Sequence, residues 1–250
     1  MEKLKIAIIG TDRNGTEDDA ILRTLDDPTI LELCTPIISD TTEKAEKSPD
    51  ATVLISANQP ADATEIIVTE KVCFMPLAGE PTAEDIVKFR DILERDFDLR
   101  SPRIAIVQET NVGNPDLSSQ VTTEFGINTY GPYTAEQILA EDKAHHFDGI
   151  VTADKNLTLH IIKELSQEAP VRYFASKETV VTAVYQPLHT DEETGELTNV
   201  TALTYPIYTA IDVIRNRAFY DEARQNPLPK LFRDKREDRK TEKDTPKNAE

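Results

Sequence analysis

Three polar side chains stand where loops leave strand-like apolar runs. Asp12 and Asn14 follow Leu4 to Ile9, and Lys155 follows the run Gly149-Ile-Val-Thr152. In open α/β sheets ligands lie outside the carboxyl ends of strands, which makes these three the ligand-pocket candidates. An ammonium on a flexible stem suits a phosphate or carboxylate, and the plainer role for Lys155 is that of a solvated loop residue. No catalytic residue and no metal ligand is assigned.

Other chemistries fail on residue type or spacing. Gly10-Thr-Asp-Arg-Asn-Gly15-Thr16-Glu17 has the outer spacing of a phosphate-binding loop. It lacks the lysine that reaches the phosphates and places acids where an anion would lie. No Gly-x-Gly-x-x-Gly or Gly-x-Ser-x-Gly occurs, which removes the Rossmann pyrophosphate turn and the serine nucleophile elbow. His145, His146, His160 and His189 include no His-x-x-x-His pair. His160 and Glu164 read as a surface pair one helical turn apart. Cys34 and Cys73 sit among apolar neighbours without zinc spacing and read as buried structural thiols.

The elements that must position these groups alternate. Leu4 to Ile9 predicts a strand buried on both faces, and Ile21, Leu22 and Leu25 mark the helix after it. A short helix around Ile30 to Leu33 leads to a strand at Pro36 to Ile38, and Ala51 to Ser56 is another. Glu65 to Met75 holds two strand-like pieces with a polar break. Thr82, with Asp85 three residues on, caps a helix in which Ile86, Phe89, Leu93 and Phe97 recur. Further strands are predicted at Arg103 to Val107, Ile127 to Tyr133, Gly149 to Ala153, Val171 to Phe174 and Val180 to Tyr185. Helices are predicted from Thr134 to about His145, after Asp154, and from Tyr205 to Ala223. This alternation implies an α/β fold, a mostly parallel sheet with helices on both faces.

Residues 1–225 are expected to form a single compact α/β unit. Residues 226–250 hold eight Lys or Arg and six Asp or Glu with few apolar residues. Such a composition cannot offset its ordering entropy, which predicts a charged, disordered tail. The chain has 250 residues and a net charge of −18, which repels phosphate backbones and argues against nucleic-acid binding. No apolar stretch approaches the roughly 18 residues of a membrane span. The start of the chain lacks a cleavage site, and a cytoplasmic location is expected.

Several segments together resemble 4-hydroxythreonine-4-phosphate dehydrogenase. They are Ile9-Gly-Thr-Asp-Arg-Asn-Gly15, Ala20-Ile-Leu-Arg-Thr-Leu-Asp-Asp-Pro28, Leu31-Glu-Leu-Cys-Thr-Pro36, Asp96-Phe-Asp-Leu-Arg-Ser-Pro-Arg-Ile-Ala-Ile106, Phe147-Asp-Gly-Ile150 and Ala210-Ile-Asp-Val-Ile-Arg-Asn-Arg217. The resemblance implies a shortened isocitrate/isopropylmalate dehydrogenase-like fold and a homodimer. It also implies NAD and a divalent metal in pyridoxal phosphate (pyridoxine) biosynthesis. The departures fall on the metal motifs. Glu109-Thr-Asn-Val-Gly113 replaces Asn-Pro-His-Ala-Gly, with Val112 about where a metal-binding His belongs. Asp154-Lys155-Asn156-Leu157-Thr158 replaces Tyr-His-Asp-Gln-Gly, with Lys155 in place of a second His. The Gly-His-Thr-Glu segment has no counterpart, and Ser176-Lys-Glu-Thr179 replaces Pro-Asp-His-Gly-Thr. Val cannot coordinate a metal, and a protonated Lys repels one.

The function expected from this pattern is that of a degenerate homologue, a pseudoenzyme without the metal-dependent dehydrogenase reaction and with no cofactor. Its role would be binding or regulation, through a second copy or an active paralogue. The alternative is an active NAD-dependent oxidoreductase of pyridoxal phosphate biosynthesis, or a related enzyme of shifted chemistry acting on a small anionic metabolite.

Overall fold

Short apolar runs separated by turn residues become ten strands among the described residues. They are β1 Leu4–Ile9, β2 Cys34–Ser39, β3 Ala51–Leu54, β4 Thr64–Val68, β5 Cys73–Pro76, β6 Ile104–Val107, β7 Thr129–Tyr133, β8 Gly149–Thr152, β9 Val171–Ala175 and β10 Val180–Val184. The computed structural model describes residues 3–10, 15–39, 49–55, 60, 62–108, 114–165 and 168–226, without the side chains of 15–18 and 39. All ten strands join one mixed sheet in the order β2-β1-β3-β10-β9-β4-β5-β8-β6-β7.

The sheet is mostly parallel, as the alternation of elements predicts. The exceptions are the pairs β10–β9, β9–β4 and β4–β5, which run antiparallel through its middle. Connection length explains two of them. A parallel crossover needs a dozen or more residues, whereas the links from β4 to β5 and from β9 to β10 are tight turns. The first turn closes with Val72 N donating to Thr69 Oγ1 at 3.2 Å. The second closes with Thr179 N donating to Ser176 Oγ at 3.1 Å.

Strand side chains alternate between two apolar layers. On the first face, Ile6, Ile8, Val53, Met75, Ile106 and Tyr173 pack against helices α1 (Gly15–Leu25), α2 (Pro28–Leu33), α3 (Ala83–Asp96), α4 (Leu117–Phe125) and α7 (Val200–Gln225). On the second, Phe74, Ala105, Val107 and Ile150 meet Ile138 of α5 (Ala135–Leu139) and Leu157 and Ile161 of α6 (Lys155–Leu165). A third cluster of Ala7, Ile9, Leu54, Phe174 and Ala183 continues that second face of the sheet.

Local chemistry sets several boundaries. Thr82 and Asp85 form a reciprocal capping box, which satisfies two backbone donors at the start of α3. Gly149 opens β8 because α3 passes directly over it. A Cβ there would stand 2.6 Å from Phe89 Cε1 and 2.8 Å from Leu93 Cδ1.

Three helices differ from the sequence expectation, and the first, α4, is not predicted at all; it ends at Gly126, whose φ is 67°. α7 begins at Val200 rather than Tyr205. Burial of Ala202 and Leu203 extends it ahead of Pro206, which sits inside the helix. The Pro206 carbonyl accepts from Thr182 Oγ1 at 2.9 Å. The helix capped by Thr134 ends at Leu139. A 3-10 stretch, Ala140–His146, replaces its second half, with Glu141 and Asp142 at positive φ of 53° and 59°. His145 Nδ1 lies 2.6 Å from Asp142 Oδ1 across that turn.

Candidate functional site

Strand β8 delivers its chain to the sheet edge at Thr152, and α6 begins three residues later. Asp154 marks the junction, its Oδ1 accepting from Leu157 N at 2.9 Å and so satisfying one of the helix's unpaired donors. The Thr152 and Thr158 hydroxyls hydrogen-bond to each other beneath it. Lys155 follows as the first residue of α6.

The Lys155 side chain turns to the second face of the sheet. Its Nζ lies 3.0 Å from Glu65 Oε2 and 3.4 Å from Oε1. Arg172 Nε donates to Glu65 Oε1 at 2.5 Å. The Glu65 side chain is only 9% exposed and that of Arg172 15%, whereas Lys155 is 52% exposed. Arg172 also lies over the Phe174 ring, 5.0 Å from its centroid. Tyr185 stands beside the group. Burial pushes its phenol up, the Glu65 charge adds to this, and Arg172 opposes it.

Of the three pocket candidates only Lys155 is placed. Asp12, Asn14 and the comparison position Val112 lie outside the described residues. Glu65, the partner of Lys155, and Arg172, which shares that carboxylate, went unnoticed in the sequence because Glu65 lies 90 positions from Lys155 and 107 from Arg172. A signal existed. Each is the single charge inside a short strand of otherwise apolar or small residues, in Thr64-Glu-Ile-Ile-Val68 and Val171-Arg-Tyr-Phe-Ala175.

A second ion cluster lies on the opposite face. Asp96, fully buried at the end of α3, accepts from Arg95 Nε at 2.7 Å, Arg217 Nε at 2.8 Å and Tyr173 OH at 2.7 Å. Arg95 and Arg217 also donate to the Ser176 carbonyl, at 3.1 and 2.8 Å. Burial pushes the Asp96 carboxyl up, but the hydrogen bonds from Arg95 and Arg217 outweigh it and hold the carboxyl below the usual range. Tyr173 is pushed up by burial and by the Asp96 charge. These groups tie α3, β9 and α7 together.

Several clefts open away from Lys155 among the described residues, and two of them bear charged side chains beside the sheet's antiparallel middle. One, of about 1020 Å³, runs along α3 past the β9–β10 turn, with Lys88, Arg95, Lys177, Asp91 and Glu178 in its walls. The other, of about 270 Å³, carries Glu70, Glu168 and Asp212 beside Tyr205 and Tyr208. Burial raises the Asp212 carboxyl, against the pull of Arg215. Cys34 and Cys73 are buried as the sequence predicts, and burial pushes the Cys73 thiol up to about 12.

The Lys155 corner does not fit a divalent metal. Among the described residues it offers two cations, the Glu65 carboxylate that already accepts from both, and Asp154, whose Oδ1 is engaged by Leu157 N. Among the described residues no three His, Cys, Asp or Glu side chains are grouped to hold a metal ion. No helix among them is long and apolar enough to cross a membrane.

No family model matches the chain. Over 174 residues, 65% of its length, it is 32% identical to the 4-hydroxythreonine-4-phosphate dehydrogenase of Bacteroides thetaiotaomicron. The aligned part is 48% of that protein, so the chain spans about half the length of the curated relative it matches. A solved structure from Salmonella typhimurium, assigned as a 4-hydroxythreonine-4-phosphate dehydrogenase, superposes with a TM-score of 0.58 at 11% identity. That match covers 85% of this chain and 100% of the other. Isocitrate dehydrogenase from Methylococcus capsulatus gives a TM-score of 0.51 at 10% identity, over 86% of this chain and 87% of the other. In sequence over those 174 residues, and in fold over most of its length, this chain resembles the 4-hydroxythreonine-4-phosphate dehydrogenases.

Proposed function

We propose that the chain is a degenerate homologue of 4-hydroxythreonine-4-phosphate dehydrogenase that binds or regulates without the metal-dependent reaction. The observation that carries this is the state of Lys155. It stands where the resemblance expects a metal-binding His, and its ammonium is paired with Glu65 beside Arg172. A divalent cation brought to this corner would meet two positive charges and a carboxylate already engaged. Among the described residues, Lewis-acid polarisation of a substrate hydroxyl or carbonyl therefore has no free ligand at this corner to begin from. A cytoplasmic setting, and association with a second copy or an active paralogue, belong to the same reading.

Mixing the protein with NAD, a divalent metal and 4-phosphohydroxythreonine should give no rise in NADH absorbance. NADH formation that a chelator abolishes would overturn the proposal. The alternative is an NAD-dependent oxidoreductase of pyridoxal phosphate biosynthesis or of shifted chemistry. It draws on the same corner, since two cations suit a phosphorylated or carboxylated substrate. NADH formation that persists in chelator would favour the shifted chemistry.

A further inference from the structure

Glu65 is held as a bound anion would be held. A guanidinium donates to one oxygen at 2.5 Å and an ammonium lies 3.0 Å from the other. The three side chains come from β9, α6 and β4, so the arrangement is made by the tertiary fold rather than by one local turn. One negative charge faces two positive ones, and the surplus sits on the half-exposed Lys155. Phosphate and carboxylate ligands are recognised by this same pairing of planar guanidinium and compact ammonium.

We propose that Arg172 and Lys155 form an oxyanion-binding site occupied from within by Glu65. A small carboxylate or phosphate binds there by competing with that side chain. Arg172 is mostly buried, so withdrawing Glu65 leaves a desolvated charge that an external anion can satisfy. Anion binding then couples directly to stability, because an anion bound by the folded chain alone raises its melting temperature. The proposal uses the corner discussed above but not the loss of the dehydrogenase reaction.

The test is a thermal melt of the full chain in sodium phosphate and in sodium chloride of matched ionic strength and pH, without NAD or metal. Sodium formate serves as the carboxylate probe. In chloride, Glu65→Gln should melt below wild type. In phosphate it should recover, with a saturating rise that corresponds to binding about tenfold tighter than wild type. Adding Lys155→Met to Glu65→Gln should remove most of that rise. Equal responses in wild type and Glu65→Gln, or a response that survives Lys155→Met, would overturn the proposal. If Glu65→Gln does not fold, Glu65→Asp keeps the charge but draws it back by one methylene. It should then show the stronger phosphate response, and a response equal to wild type counts against the site. NADH production plays no part in this readout, so either proposal can fail while the other stands.

Discussion

The two ion clusters on opposite faces of the sheet share a composition: one carboxylate, two cations and a nearby tyrosine. They differ in what absorbs the surplus positive charge. Around Asp96 the extra donors reach backbone carbonyls, with Arg95 and Arg217 both on Ser176 O and Arg217 also 3.4 Å from Thr179 O. Around Glu65 the surplus is left on Lys155, half in water. Asp96 is fully buried and joins a helix, a strand and a second helix through hydrogen bonds that leave little for a ligand. The Glu65 group has an open side. The same charges therefore act as a tie in one place and as an exchangeable contact in the other. Burial and backbone acceptors decide which.

The largest effect should come from breaking the buried cluster. Asp96→Asn leaves two guanidiniums around an uncharged amide, and removing one partner of a buried ion pair costs about 3–5 kcal/mol. Urea unfolding at neutral pH measures this, and a loss below about 1 kcal/mol would mean that the cluster behaves like a surface pair. The pH dependence has a definite sign. The folded Asp96 carboxyl lies below its ordinary value. Its contribution is full above the unfolded value, about pH 4, and is lost as pH falls through the lower folded value. Wild type should therefore lose stability in that acid range, and Asp96→Asn should lose less.

Tyr173→Phe is the intermediate case. It removes the hydroxyl that donates to Asp96 and accepts from Arg217, both at 2.7 Å. A loss of about 1–3 kcal/mol is expected in the same urea experiment, since both partners stay buried with one bond fewer. The smallest change belongs to the open cluster. Lys155→Met should alter unfolding by no more than about 0.5 kcal/mol, because a half-exposed ammonium gains little from its pair. A loss comparable to that of Tyr173→Phe would erase the distinction between the clusters.

Most of the fold was legible because it rests on local chemistry. Apolar runs of four to six residues marked the strands, Thr82 with Asp85 marked α3, and Thr134 marked α5. The antiparallel middle of the sheet was harder to read. Its pairing depends on how short the β4–β5 and β9–β10 turns are once the strands are placed. The break after Leu139 was also missed, since Glu141 and Asp142 have no glycine to signal their left-handed backbone. At the site, Lys155 was visible as a cation at a strand exit, but its partners were not.

The sequence by itself determined an acidic α/β chain with buried thiols. Those follow from residue type and periodicity, which act over a few neighbours along the chain. Only the tertiary structure decided that Lys155 and Arg172 would share Glu65, and that Asp96, beside its sequence neighbour Arg95, would meet Arg217 and Tyr173. The physical reason is that sheet order and helix packing bring together side chains 77 to 121 positions apart. Whether such a group ends up in water or under a helix is settled by that packing.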